Sequence, residues 1–550
     1  MGAGYRRFFL STFLSLSAFC LAACSGGGGG DSSNSGNDND NNYNEPVGWQ
    51  SGVFQPADDF ANRCESPRSG IDPATDAPYK DIRGTALDER NWLRSWSNDF
   101  YLWYDEIADR DPANHGTHEY FDLLKTTELS STGGEKDKFH FLMPTDDWNQ
   151  QSQSGVAVGY GFQWAILQSK PPRQILAAYS NGEDSWPTGI SRGARVLMVD
   201  GVDVVNAEDQ ASVDILNAVF FPAESGDNHD FLVEYPDGTT ASVSLTASAV
   251  TSDPVQNENE DVITIANGKR VGYLLFNDHI ATAEKELKLA VEQLSAKGID
   301  ELVLDLRYNG GGYLAIASQL AYMIAGPEQA GVNWNAGEWT ANKTFEQLEF
   351  NNKHPDTDPF TKEPLDPIPF IPVTIGLSPS LDKNQPLPSL NLDRVFVLTG
   401  PNTCSASEAI INGLRGVGVG VVQIGKQTCG KPYGFYPTDN CGTTYFSIQF
   451  RGVNEKGFGD YSDGFIPASY DDGGAVVLGC EVGDDFSRPL GDVGEARLAT
   501  ALNYIETDSC GAFSANSFAG EAQYGVRLSA GEGRIAKSPW RQNRILLMGR

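Results

Sequence analysis

Apolar runs and amphipathic stretches alternate through the second half of the chain. Val271–Phe276 is a β-prone apolar run, Ala281–Lys297 is apolar at helical spacing, and Glu301–Leu306 has the composition of a buried strand. Tyr313–Ala325 predicts a further helix and Val395–Leu398 a further strand. Ala409, Ile410 and Leu414 then mark one helix face, before an apolar run from Val417 to Ile424. This order predicts an α/β core over residues 251–512, with a closing helix at Gly494–Ile505. A long proline-rich insertion, residues 327–390, receives no assignment.

Upstream the period shortens. Residues 151–250 carry short apolar runs broken by glycine turns and predict a small β-domain. Residues 58–150 predict a small N-terminal helical domain. Thr85-x-x-Asp88 resembles a capping box, and Trp92, Trp96, Phe100 and Trp103 follow at helical spacing with Leu93 and Tyr104 beside them. A second short helix is expected from about His118 to Lys125. The aromatic stripe is assigned to the core.

The ends of the chain are different in kind. Arg6 and Arg7 precede an apolar run, Phe8–Ala23, that is short for a membrane span and ends in small residues, so residues 1–23 predict a signal peptide. Residues 24–57, mostly Gly, Ser, Asn and Asp, predict a flexible tether. Leu21-Ala22-Ala23-Cys24 resembles the bacterial lipobox, which implies lipidation at Cys24. Ser25 after it, in place of Asp, implies the periplasmic side of the outer membrane. In the tail, residues 513–550, the stretch from Gly533 to Arg550 has five basic residues and no acidic one. Docking on an acidic surface and binding to anionic lipid are both compatible with it.

A formal net charge of −33 over 550 residues argues against a nucleic-acid partner and fits a solvated acidic surface. Six cysteines lie outside the leader and its Cys24: Cys64, Cys404, Cys429, Cys441, Cys480 and Cys510. In an exported chain this even number predicts disulfides, with the connectivity open. Zinc is disfavoured because no CxxC or histidine pair at ligand spacing accompanies them, so no metal and no cofactor are expected.

The chemistry concentrates between Val395 and Phe435. A strand ends in the turn Gly400-Pro401-Asn402-Thr403; Cys404-Ser405-Ala406-Ser407-Glu408 opens a helix; a second strand leads to Gly430-Lys431. Such a layout can bring a serine and a lysine together from two adjacent turns, with free N–H groups of a helix start beside the serine. Serine with a lysine base is a known form of nucleophilic catalysis. Free lysine titrates at about 10.4, so a base near neutral pH needs burial. Tyr433, Phe435 and Tyr436 supply apolar surroundings, and no acidic residue lies between Glu408 and Lys431.

This stretch resembles the active-site region of the C-terminal processing peptidases, the tail-specific serine proteases. The resemblance places the nucleophile at Ser405 and the general base at Lys431, 26 residues on, one more than the usual spacing. Upstream, Asp305-Leu306-Arg307-Tyr308-Asn309-Gly310-Gly311-Gly312 resembles the family's Asp-Leu-Arg-x-Asn-Pro-Gly-Gly, with Gly310 in place of proline. It implies an oxyanion hole from the N–H groups of Gly311 and Ala406. It also implies a crotonase-like protease core with an inserted or preceding PDZ-like β-domain. Many members place glutamine four residues after the lysine; here that residue is Phe435. Others use an acidic residue in the helix after the serine, where only Asn412 and Glu408 are found, so a plain Ser–Lys dyad is expected.

Within 151–250, Gly159-Tyr160-Gly161-Phe162 and the run Gly189 to Gly201 resemble a PDZ domain: a carboxylate-binding loop, then a strand and turn. The resemblance implies capture of free peptide C-termini by strand addition. Two further patterns carry no weight. Gly189-x-Ser191-x-Gly193 mimics a nucleophile elbow but has a strand pattern after the serine, where an elbow has a helix. Ser380-Leu381-Asp382-Lys383 mimics Ser-x-x-Lys but lies among prolines. The sequence therefore predicts a lipid-anchored envelope serine endopeptidase that cuts protein or peptide substrates near their C-termini. The alternative is a catalytically silent scaffold that binds peptide tails.

Overall fold

The computed structural model describes residues 48–130, 133–182, 186–256, 262–358 and 362–511, together with a strand at Arg544–Ile545. The expected signal peptide, Cys24, most of the tether and most of the tail lie outside the described residues.

The N-terminal part contains α1 (Ala86–Phe100), α2 (Thr117–Asp122) and α3 (Thr145–Ser154). Thr85 accepts from the Asp88 amide while the Asp88 carboxylate accepts from that of Thr85, so the capping box starts α1 as expected. Trp92 and Trp96 stack at 5.2 Å and pack against Tyr445 from the far end of the chain. Trp103 is not part of this stripe. Tyr101 leaves the helix in extended conformation, held by Asp137 through its hydroxyl, and Leu102 N–H donates to Ile448 O. This part is stitched to the core by the disulfide Cys64–Cys441 and by pairing of Phe141–Pro144 with Thr443–Phe446. The expected boundary at residue 150 falls inside α3, because Ala281 donates from the core to Ser152 O and holds that helix against it.

The middle unit is an antiparallel sheet in the order Thr240–Thr246, Asn228–Glu234, Arg195–Val199, Gln174–Ser180, Phe162–Gln168, with α4 (Gln210–Phe220) packed on it. Alternating burial along Asn228–Glu234 and Thr240–Thr246 shows why the strand period is legible there.

The core sheet runs Val255–Gln256, Arg270–Phe276, Glu301–Asp305, Arg394–Thr399, Gly420–Gly425, Val476–Glu481, Ile466–Ala468. From Arg270–Phe276 onward its members are parallel. Apolar side chains cover both faces, which accounts for continuous rather than alternating apolar runs. One face packs α5 (Ala283–Lys297), α6 (Leu314–Gln329) and α7 (Ala406–Val417); the other packs α8 (Ala496–Thr507). The insertion is partly structured: Thr344–Phe350 pairs with Phe450–Val453, which pairs in turn with Tyr433–Gly434. It thereby braces the strand that follows Lys431.

A buried ion network joins the middle unit to the core. Arg307 donates to Asp305, Asp484 and Glu495, and Arg192 donates to Asp484 at 2.8 Å and to the Tyr308 hydroxyl at 2.7 Å. Burial opposes ionisation of Asp484, yet Arg192, Arg497 and Arg307 hold its carboxyl well below the ordinary range. Ser191, beside Arg192, is exposed and precedes a strand, so no nucleophile elbow forms.

Candidate active site

Three turns at the ends of parallel core strands converge, where ligand sites collect in open α/β sheets. Thr403 Oγ1 donates to Leu306 O at 2.8 Å, Cys404 N–H to Asn309 O at 3.0 Å, and Ser407 Oγ to Asn309 O at 3.0 Å. These bonds fasten the serine turn to the glycine-rich loop. The lysine turn joins through Cys429 N–H, which donates to Thr403 O at 3.0 Å, and through the disulfide Cys404–Cys429. All six expected cysteines are paired, the third bridge being Cys480–Cys510. Although Cys404, Glu408 and Cys429 cluster, the two sulfurs are bonded to each other.

Ser405 stands just before α7 with φ +59° and ψ −112°, a positive φ unusual for a residue with a Cβ. Such strain gathers at functional sites. It is held by Glu408, whose carboxylate accepts the N–H groups of Ser405 at 2.9 Å, Gly430 at 2.9 Å and Lys431 at 2.8 Å, and the Thr428 hydroxyl. One Glu408 oxygen serves both Ser405 and Lys431, so their amides lie side by side. Burial raises the Glu408 carboxyl above its ordinary range, against the pull of these donors. The sequence marked Glu408 as part of the motif but not as this brace.

Lys431 is fully buried, and its Nζ lies 4.5 Å from the Phe139 ring centre and 4.7 Å from that of Phe435. Aromatic faces therefore flank the amine. Gly430 is required at φ +80°, since a Cβ there would meet Ser462 O at 2.2 Å. Beside this turn is a cavity of about 280 Å³, whose walls include Lys136, Lys138, Gly430, Tyr433, Asp460 and Asp463.

Ala406 opens α7 as expected. Gly311 adjoins the serine turn, but its N–H donates to Asn309 Oδ1 at 3.0 Å, so in this conformation it is engaged within its own loop. Asn309 Oδ1 also accepts from His279 Nδ1 at 2.9 Å, which fixes the imidazole tautomer. Burial pushes His279 down to about 3, despite its bonds to Asn309 and Gly311. Gly159-Tyr160-Gly161-Phe162 lies elsewhere, leading into the edge strand Phe162–Gln168. Tyr160 and Phe162 are buried in the middle unit, and the Tyr160 hydroxyl donates to Val219 O. Ser380 has φ +62° in a turn, outside any helix, and is not brought to the site.

A buried serine at a strained helix start is thus tied to a buried lysine turn on an α/β fold. The profile of peptidase family S41 matches residues 270–435, a span that holds all three turns. Carboxyl-terminal-processing proteases of Picosynechococcus sp. and Synechocystis sp. are 27% and 28% identical over 171 and 176 residues, each covering 31% of this chain. The chain spans 39% and 38% of those relatives' lengths. A putative S41 protease of Bacteroides fragilis shares the fold, with a TM-score of 0.53 at 23% identity, covering 78% of this chain and 98% of that one. Residues 270–435 are thus similar to peptidase family S41, and the relatives that share this part of the chain are carboxyl-terminal-processing proteases.

Proposed function

We propose that the protein is a serine endopeptidase that cleaves protein or peptide substrates near their C-termini through a Ser405–Lys431 dyad. Ser405 Oγ attacks the scissile carbonyl while Lys431 Nζ takes its proton. The tetrahedral oxyanion receives N–H bonds from Ala406 and from Gly311, the latter after turning from Asn309 Oδ1. Lys431 returns the proton to the departing amine, and water then hydrolyses the acyl-enzyme. The observation that carries this reading is Glu408, whose single carboxylate holds the backbones of both dyad residues.

In the same proposal the core is crotonase-like and the middle unit is a PDZ-like domain. Its edge strand Phe162–Gln168, led by the Gly159–Phe162 loop, receives free C-termini. Cys24 carries the lipid that holds the enzyme at the periplasmic face of the outer membrane. A peptide panel digested by the unchanged protein and by Ser405→Ala, with products mapped by mass spectrometry, tests the activity. Cuts near C-termini that vanish in Ser405→Ala are expected, and hydrolysis retained in that variant overturns the assignment.

A further inference from the structure

Asn309 is pinned from two directions. Its carbonyl accepts Cys404 N–H and Ser407 Oγ–H, which fixes its backbone to the serine turn. Its side chain reaches the other way. Nδ2 donates to Phe276 O at 3.0 Å, while Oδ1 accepts from His279 Nδ1 at 2.9 Å and from the Gly311 N–H at 3.0 Å. These partners set the carboxamide's orientation, because a carbonyl only accepts and a backbone N–H only donates. His279 therefore carries its proton on Nδ1. Its Nε2 is buried with no hydrogen-bond partner among the described residues, so the ring acts on the loop through Nδ1.

From this geometry we infer that His279 is a positioning residue for the oxyanion hole, keeping Asn309 Oδ1 bonded while the Gly311 N–H turns from it to the substrate oxyanion; the inference rests on the peptidase reading. A carbonyl oxygen has two lone pairs, and here two donors share them. Without His279, the departure of Gly311 would strip a buried oxygen of its last donor, which is the costly kind of loss. With the imidazole in place one bond remains, and the Nδ2 bond to Phe276 O keeps the carboxamide from following. The moving part is small. Gly311 O accepts His279 N–H at 3.1 Å and His279 O accepts Tyr313 N–H at 2.9 Å, so the loop beyond Gly311 is held. Only the peptide between Gly310 and Gly311 has to turn. It has glycine on both sides, with Gly311 already at φ +102°.

The test compares the full chain with His279→Asn, His279→Gln and His279→Leu. Asparagine can put an N–H where Nδ1 stood, glutamine reaches instead to the place of Nε2, and leucine has no donor. Loss of the Nδ1 bond is expected to lower kcat about tenfold, the worth of one hydrogen bond, with KM within about twofold. Binding of a peptide aldehyde, whose adduct with Ser405 puts an oxyanion in the hole, should weaken by the same factor. His279→Asn should recover most of both. Amide exchange at Gly311, followed by mass spectrometry in the Ser405→Ala background, should be about tenfold slower with glutamine or leucine than with histidine or asparagine, because the Gly311 bond no longer opens cheaply. A merely structural role predicts the reverse, since a loosened loop exchanges faster. Should His279→Leu fail to fold, the asparagine and glutamine variants carry the comparison. Full kcat in His279→Gln, an asparagine variant no better than glutamine, or exchange at Gly311 that is not slowed overturns the positioning role. If the unchanged protein cuts no peptide and takes up no aldehyde, the peptidase reading falls, and Gly311 exchange decides alone whether His279 frees this amide. Slower exchange without the Nδ1 bond supports it, and equal or faster exchange overturns it.

Discussion

The backbone N–H of Lys431 donates to the Glu408 carboxylate at 2.8 Å. The same oxygen accepts from Ser405, so the proposed nucleophile and base are registered by a residue that need not touch substrate. Glu408→Gln keeps the shape but turns an amide NH₂ toward N–H groups that want an acceptor. Leaving such donors buried without a partner costs about 1–3 kcal/mol. A drop in unfolding free energy of that order, with kcat reduced more than KM is raised, is the expected outcome. Unchanged denaturant midpoint and kcat would remove Glu408 from its bracing role.

Phe435 follows Lys431 by four residues, and its ring centre lies 4.7 Å from Lys431 Nζ. Cation–π contacts contribute about 0.5–2 kcal/mol, so Phe435→Leu should lower kcat several-fold with KM nearly unchanged. Phe435→Gln supplies a polar group to orient the amine and should be the milder of the two. A leucine variant as active as the unchanged protein would mean that Phe139 and the lysine turn suffice.

The strand and helix order of the core was legible because its β-strands are buried on both faces and read as continuous apolar runs. Ser405, Lys431 and the glycine-rich loop were legible because they lie within short motifs. What joins them was not. Glu408 bonds backbone atoms 20 or more residues away, Phe139 reaches Lys431 from the N-terminal part, and Arg192 reaches Tyr308 from the middle unit. No local pattern encodes such pairings. Helical periodicity also extended α1 to Trp103, since spacing is blind to the Asp137 and Ile448 bonds that pull Tyr101 and Leu102 out of the helix.

Arg192 and Asp484 lie at the joint between the middle unit and the glycine-rich loop. Arg192→Leu leaves the Asp484 carboxylate with one guanidinium partner fewer in a dry site, and breaking a buried pair costs about 3–5 kcal/mol. A large fall in thermal midpoint is expected. The double change Arg192→Leu/Asp484→Asn should recover part of it, because the orphaned charge is gone. A double variant no more stable than Arg192→Leu would argue that the hydrogen bond to Tyr308, rather than the ion pair, is what the joint needs.

His279 gives a pH dependence whose sign follows from its surroundings. Burial holds its folded value at about 3, below the ordinary histidine value of 6.5. Above 6.5 neither the folded nor the unfolded chain is protonated there, and its contribution to stability is complete. As pH falls from 6.5 toward 3, the unfolded chain takes up a proton that the folded chain refuses, so stability is lost by about 1.4 kcal/mol per pH unit across that window. Other buried groups, His140 and His354 among them, shift in the same sense. The informative quantity is therefore the difference between the unchanged protein and His279→Gln. Urea unfolding at pH 4, 5, 6 and 7 should show a shallower slope for the variant, with the curves converging toward low pH. At neutral pH His279 stays neutral in the folded chain, so a rise of kcat/KM between pH 6 and 9 must persist in His279→Gln and vanish in Lys431→Arg, whose guanidinium keeps its proton. A profile that disappears with His279 instead would hand the base role to the imidazole, and with it the proton path drawn above.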